Sequence, residues 1–82
     1  VRLDLIPPKA IFGLGEVLTF GLSKGYGENS WKNVDPKRYK AAAMRHWFAY
    51  MDGQKLDPES GKHHLYHAIC CMMFIILIEE KK

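Results

Sequence analysis

A chain of 82 residues and 9.5 kDa buries on folding only about 63% of the surface its unfolded form exposes, so one domain spanning residues 1–82 is the limit. Apolar residues at 48% and charged residues at 26% sit near globular averages and exclude intrinsic disorder, a collagen-like repeat and a disulfide scaffold. The net charge of +3 is uneven: from Lys24 to Arg45 six cations face only Glu28 and Asp35, a balance that suits an anionic ligand and is too modest for duplex nucleic acid.

The opening VRLDLI alternates apolar and charged residues until Pro7-Pro8 ends it, which predicts a short extended arm over 1–6. Ile11, Leu14, Val17, Leu18 and Leu22 then recur at three- and four-residue steps, predicting a helix over 8–24 with proline in its first turn. Gly13, Gly15 and Gly21 each cost that helix about 1 kcal/mol relative to alanine. Close helix packing or ligand approach would explain them. Residues 25–34, rich in glycine, asparagine and serine, form the main loop. Asp35-Pro36 is an N-cap followed by proline, and Tyr39, Ala42, Ala43, His46, Trp47, Tyr50 and Met51 keep helical spacing as far as Gly53, so a second helix covers 36–52. Asp57-Pro58-Glu59 repeats the same start signal and predicts a third helix over 58–80.

The fold class is therefore all-α, a small three-helix protein. The apolar run Ala68–Ile78 is 11 residues long, against about 20 for a bilayer crossing, so no membrane partner is expected. No signal peptide is visible, which makes cytoplasm the expected compartment. Because that run is apolar nearly all round, the third helix calls for a partner subunit, and a helical homo-oligomer, dimer or higher, with 68–78 at its centre is expected. Cys70 and Cys71 point about 100° apart on a helix and read as small buried hydrophobes rather than a disulfide.

Asp57, Glu59, His63, His64 and His67 form the densest group of metal-ligand types, and on a helix His64, His67 and Cys71 share one face. Two histidines completed by carboxylates can hold a divalent ion whose bound water becomes a nucleophile. The alternative is that Asp57 caps the helix, Glu59 answers its dipole and the histidines make buried hydrogen bonds. Arg45 and His46 lie beside the small Ala42 and Ala43, where a phosphate fits, and Arg38 and Lys40 add charge. Tyr26, Trp31 and Tyr39, interleaved with cations, suit base stacking; core packing of Trp31 is the alternative. No GxSxG, phosphate-binding loop or dinucleotide fingerprint occurs.

Taken together, RLDLIPPKA, GEVLTFGLSKGYG, NSW, RYKAAAMRHWFAY and DPESGKHHLYHAIC resemble the small phage-encoded domain known as the N-terminal domain of dATP/dGTP diphosphohydrolases. The resemblance implies an all-helical protein of phage or prophage origin, in the cytoplasm of an infected bacterium, linked to deoxynucleotide metabolism and related to MazG-like pyrophosphohydrolases. Its polar positions fall on Arg2, Asp4, Asn29, Trp31, Arg45, His46, Asp57, Glu59, His64 and His67. MazG-like enzymes hold magnesium with ExxE and ExxD motifs, and this chain has neither. Two functions follow. One is a (deoxy)nucleoside triphosphate diphosphohydrolase, using magnesium or manganese on Asp57, Glu59, His64 and His67 as the catalytic set. The other is a metal-free sponge for a cyclic or other nucleotide signal of host anti-phage defence. In either, Lys24, Asn29, Trp31, Arg38, Arg45 and His46 bind the nucleotide. A protein–protein adaptor whose basic face meets an acidic host factor is the third reading.

Overall fold

The computed structural model describes residues 1–81. It consists of three α-helices, α1 (Pro8–Ser23), α2 (Pro36–Met51) and α3 (His64–Glu80), with single 3-10 turns at Leu3–Leu5 and Ser30–Asn33. Among the described residues there is no β-strand, only an isolated antiparallel bridge between Leu56 and His63. The opening segment is exposed and turns at Leu3–Leu5 instead of running extended throughout. There the Arg2 guanidinium grips the Asp4 carboxylate at 2.8 and 2.6 Å and holds its pKa below the usual range.

Helix α2 begins and ends on its own local chemistry. The Asp35 carboxylate accepts the Lys37 backbone N–H at 2.9 Å, and Pro36 fills the first helical position, where a missing N–H costs nothing. At the other end Gly53 adopts φ +98°. Its N–H reaches the Tyr50 carbonyl and that of Gln54 the Ala49 carbonyl, both at 3.0 Å, a Schellman closure that glycine permits without strain. This closure turns Gln54 back toward the start of α3.

Helix α3 starts at His64, six residues later than the Asp57-Pro58 signal predicts. Asp57 does act as a cap, accepting the Ser60 backbone N–H at 3.0 Å. The turn stops there because Gly61 takes φ +73° and returns its N–H to the Asp57 carbonyl at 2.7 Å. Asp57 N–H to Lys62 O at 2.7 Å and His64 N–H to Lys55 O at 3.0 Å then tie residues 55–64 into a tight loop. His63, not Asp57, caps α3: its Nδ1 accepts the Leu65 N–H at 3.0 Å.

Helix α3 lies in the middle, with α1 and α2 each packed against it and not against one another. The buried set is small: Val17, Ala43, Ala68 and Cys70 together with His46 and His64. Both cysteines are free, and burial pushes the Cys70 thiol up to about 11, as expected of a structural, unreactive thiol. No described helix is long and apolar enough to cross a membrane. The glycines of α1 divide in their roles. A Cβ on Gly13 would come within 2.3 Å of the Tyr66 ring of α3, whereas one on Gly15 meets nothing within 4 Å. Gly13 is therefore a close-contact residue and Gly15 is not. Thermal melts of Gly15→Ala should show a gain of about 1 kcal/mol from helix propensity, a gain that Gly13→Ala forfeits to the clash.

The isolated chain exposes 6241 Å², whereas a compact monomer of its mass exposes about 5,000 Å². Much of the excess is apolar. Met44, Trp47, Phe48 and Met51 form one stripe on α2 and are 43 to 64% exposed. Ile69, Met72 and Ile76 form a second on α3, so its apolar second half is only partly covered within its own chain.

Candidate functional site

The three histidines His46, His64 and His67 converge where α2, the start of α3 and the 55–64 loop meet. His46 and His64 are only 6% and 4% exposed, and their Nδ1 atoms lie 2.8 Å apart. Gln54 Oε1 accepts from His64 Nε2–H at 2.7 Å. That bond fixes the tautomers in turn: His64 Nδ1 carries a lone pair and receives the proton of His46 Nδ1. The His46 ring also stacks on His67, centroids 4.5 Å apart and planes 10° from parallel.

On the loop side, Ser60 links the remaining groups. Its hydroxyl donates to Asp57 Oδ2 at 2.9 Å and accepts from His67 Nε2–H at 2.7 Å and from the Lys62 N–H at 3.1 Å. Asp57 Oδ2 is itself 3.6 Å from His67 Nε2. This is not a serine-nucleophile triad. The hydroxyl proton is committed to the carboxylate, and Asp57 does not orient the imidazole from its far nitrogen.

Charge states follow from these contacts. Burial, reinforced by the neighbouring His67, Arg45 and His64, pushes His46 down to about 4, so it is neutral at pH 7. His67 is lowered too, by burial first and against the opposing pull of Asp57. Burial raises Asp57, but the Ser60 hydroxyl and backbone donors outweigh it and leave the carboxyl below its ordinary value. The site at neutral pH is an ionised carboxylate beside uncharged His46 and His67 imidazoles.

Of the residues expected from sequence, Asp57, His64, His67 and His46 are brought together. Glu59 is not: it turns out of the cluster and pairs with Lys24, because 57–63 is a loop and no helical face aligns Glu59 with His63. Trp31 stacks flat on Phe74 at 5.3 Å and 10°, flanked by Lys32 and Lys81, and Tyr39 packs on the same ring. Phe74 lies ten residues, about 15 Å, along α3 from His64. The aromatic-basic loop is thus a packing cluster remote from the histidines. Asn29 adopts φ +60° to open the 3-10 turn at Ser30, and Arg38 is exposed. Arg45, also exposed, acts on His46 and His67 through its charge. The residues missed are Ser60 and Gln54. The spacing of Ser60 three after Asp57, the register of a capping donor, was the available signal for the first; Gln54, directly after the glycine closing α2, had none.

A depression runs along α1. It encloses about 630 Å³ and is lined by Ile11, Phe12, Gly15, Glu16, Thr19, Phe20, Ser23 and Lys62. It borders the histidine cluster through Phe20, whose ring meets His67 edge-on at 6.5 Å. Lys62 and Glu16, both of which line it, pair at 3.0 Å.

The chain is 34% identical over 73 residues to a dATP/dGTP diphosphohydrolase of Salmonella phage PMBT28, an alignment covering 89% of this chain and 25% of that protein. It thus spans about a quarter of that relative's length. No solved structure matches it. The family model described as dATP/dGTP diphosphohydrolase, N-terminal, matches residues 1–82. With the match running from end to end of the chain that builds this convergent histidine cluster, the chain belongs to the dATP/dGTP diphosphohydrolase N-terminal family.

Proposed function

We propose that residues 1–82 act as one nucleotide-binding domain that hydrolyses purine deoxynucleoside triphosphates to the monophosphate and pyrophosphate. The observation that carries this reading is the buried cluster of His46, Asp57, His64 and His67, coupled through Ser60 and Gln54. In a chain with so small a core, packing alone does not repay burying that many polar rings. A water attacking the α-phosphorus must lose a proton as the bond to the β-phosphate oxygen breaks. His46, neutral at pH 7, is the base that takes it. Asp57, ionised and aligned by Ser60, stabilises the imidazolium that results, and Lys24 and Arg45 offset phosphate charge.

The α1 depression has the volume of a small-molecule site. The base stacks there on Phe12 and Phe20, and Lys62 lies toward its phosphates. Base stacking on Trp31, expected for hydrolase and sponge alike, has no free ring face where Trp31 lies on Phe74; the diphosphohydrolase name of the family and relative favours the hydrolase over the sponge.

Magnesium fits this cluster poorly. A hard cation of that size takes oxygen ligands in octahedral array, and here Asp57 is the one carboxylate among imidazoles, with Glu59 turned away to Lys24. No step above depends on it.

The assembly is a homodimer in which a second copy covers the Met44, Trp47, Phe48 and Met51 stripe. The surface excess of roughly 1,200 Å² over a compact monomer exceeds the roughly 800 Å² per partner of a standard interface. Sedimentation equilibrium should give twice the monomer mass, and Phe48→Glu should halve it; a monomeric parent protein overturns the pairing.

For the activity, the protein is incubated with each of the four deoxynucleoside triphosphates, and the products are separated by ion-exchange chromatography. Release of dAMP or dGMP with pyrophosphate, and little from dCTP or dTTP, is the expected result. Purine triphosphates recovered intact, bound or unbound, overturn the hydrolytic reading.

A further inference from the structure

A ring nitrogen from each of His46 and His64 and a carboxylate oxygen of Asp57 lie within 4.8 Å of one another. We propose that His46, Asp57 and His64 form a binding site for a first-row transition ion of the zinc or cobalt(II) type, with water completing the shell. The proposal rests on the reading of this site given above and names an ion that its donor set favours; with the ion bound, His46 is a ligand and no longer the base of the metal-free site.

Three features of the chain support it. The donor chemistry is two imidazoles and one carboxylate, the mixture that zinc-type ions take with three protein ligands and one open position. The supporting contact is already in place. A metal-binding histidine characteristically passes its other N–H to an acceptor, and His64 Nε2–H is held by Gln54 Oε1 at 2.7 Å. That bond keeps the lone pair on Nδ1, facing His46.

The third feature is distance. The two Nδ1 atoms, 2.8 Å apart, share one hydrogen bond, whereas metal–nitrogen bonds of about 2.0–2.1 Å at a tetrahedral angle need nitrogens about 3.3 Å apart. An opening of about half an ångström replaces that hydrogen bond by the ion. His64 already carries its proton on Nε2, and His46 moves its proton from Nδ1 to Nε2 as the ion takes Nδ1, so the two neutral imidazoles release no net proton. Asp57 contributes a ligand that is already ionised and is oriented by Ser60 at 2.9 and 3.0 Å.

His63 and Glu59, the other ligand types nearby, are otherwise engaged. His63 Nδ1 caps α3, and Glu59 is paired with Lys24. Both are controls.

The test is titration of the full chain, stripped with chelator, by cobalt(II) and by zinc, read by visible absorption and by calorimetry. One equivalent should bind with a micromolar or tighter dissociation constant and with the intense visible bands of low-coordinate cobalt. His64→Ala and Asp57→Asn should weaken binding by at least about tenfold, and Glu59→Gln should leave it unchanged. Asp57→Asn retains an acceptor for Ser60 and so guards against loss of fold, which circular dichroism checks. Absence of saturable uptake, uptake indifferent to both site substitutions, or displacement of cobalt by equimolar magnesium would overturn the site. Turnover without cobalt or zinc binding refutes the metal and leaves the hydrolase standing; binding without turnover does the reverse.

Discussion

Acidification of the metal-free protein from pH 7 to pH 4 is expected to remove about 3 kcal/mol of stability through His46 alone. Its pKa falls from 6.5 in the unfolded chain to about 4 in the folded one, so the unfolded state binds the proton more tightly. The stabilisation is complete above pH 6.5 and is lost progressively as pH drops through the folded value. His67, lowered in the same direction, adds loss below pH 6.5, and Asp57, held below 3.8, adds loss only below that. A domain of this size holds roughly 5–15 kcal/mol in total, so melting temperatures at pH 4 should fall by roughly 15 °C. Thermal melts at pH 7, 5.5 and 4 in the presence of chelator measure this. His46→Gln, which cannot titrate, should flatten the profile; an equally steep profile in that variant would assign the effect elsewhere.

Replacing Asp57 by alanine should act twice. The Ser60 N–H and hydroxyl lose their acceptor, at a cost of about 1–2 kcal/mol, and the 55–64 loop loosens. On the proposed hydrolytic reading, turnover of the purine triphosphates should fall by about a hundredfold or more, since that reading has the carboxylate stabilise the forming imidazolium. Asp57→Asn separates the two roles. The amide oxygen still accepts from Ser60, so the melt should shift by less than half as much, while the negative charge and its contribution to turnover are lost. Asn and Ala variants equal in turnover and unequal in stability are the expected pair. An active Asn variant would remove Asp57 from the chemistry.

The helices were largely legible from local pattern because α2 carries its own punctuation: an Asp-Pro start, continuous apolar spacing and a glycine stop. The start of α3 was not, since Asp57-Pro58-Glu59 presents the same opening and the chain breaks it with Gly61 four residues on. Helix α3 is then capped by an imidazole, His63, outside the usual set of capping side chains. The same misplacement sets the direction of Glu59, which would share a face with His63 on a helix but points to Lys24 from a loop. Asp57, His64 and His67 were readable as a group because they lie within eleven residues. His46 was read as a phosphate ligand because it sits on another helix, and no spacing within one element reveals a partner across two. Trp31 illustrates the opposite difficulty. An aromatic between lysines has the same local signature whether it stacks on a base or on Phe74, and only the packing of α3 decides.

Every side chain of the histidine cluster comes from residues 46 to 67. Bringing His46 and His64 together requires closing one loop of fewer than twenty residues, a local event in a chain whose other contacts between elements join α1 and the Ser30–Asn33 turn to α3. Low sequence separation makes such contacts fast to form. The α2–loop–α3 hairpin is therefore expected to assemble its cluster before α1 docks, so that the polar centre is ready-made when α1 arrives last as a wall.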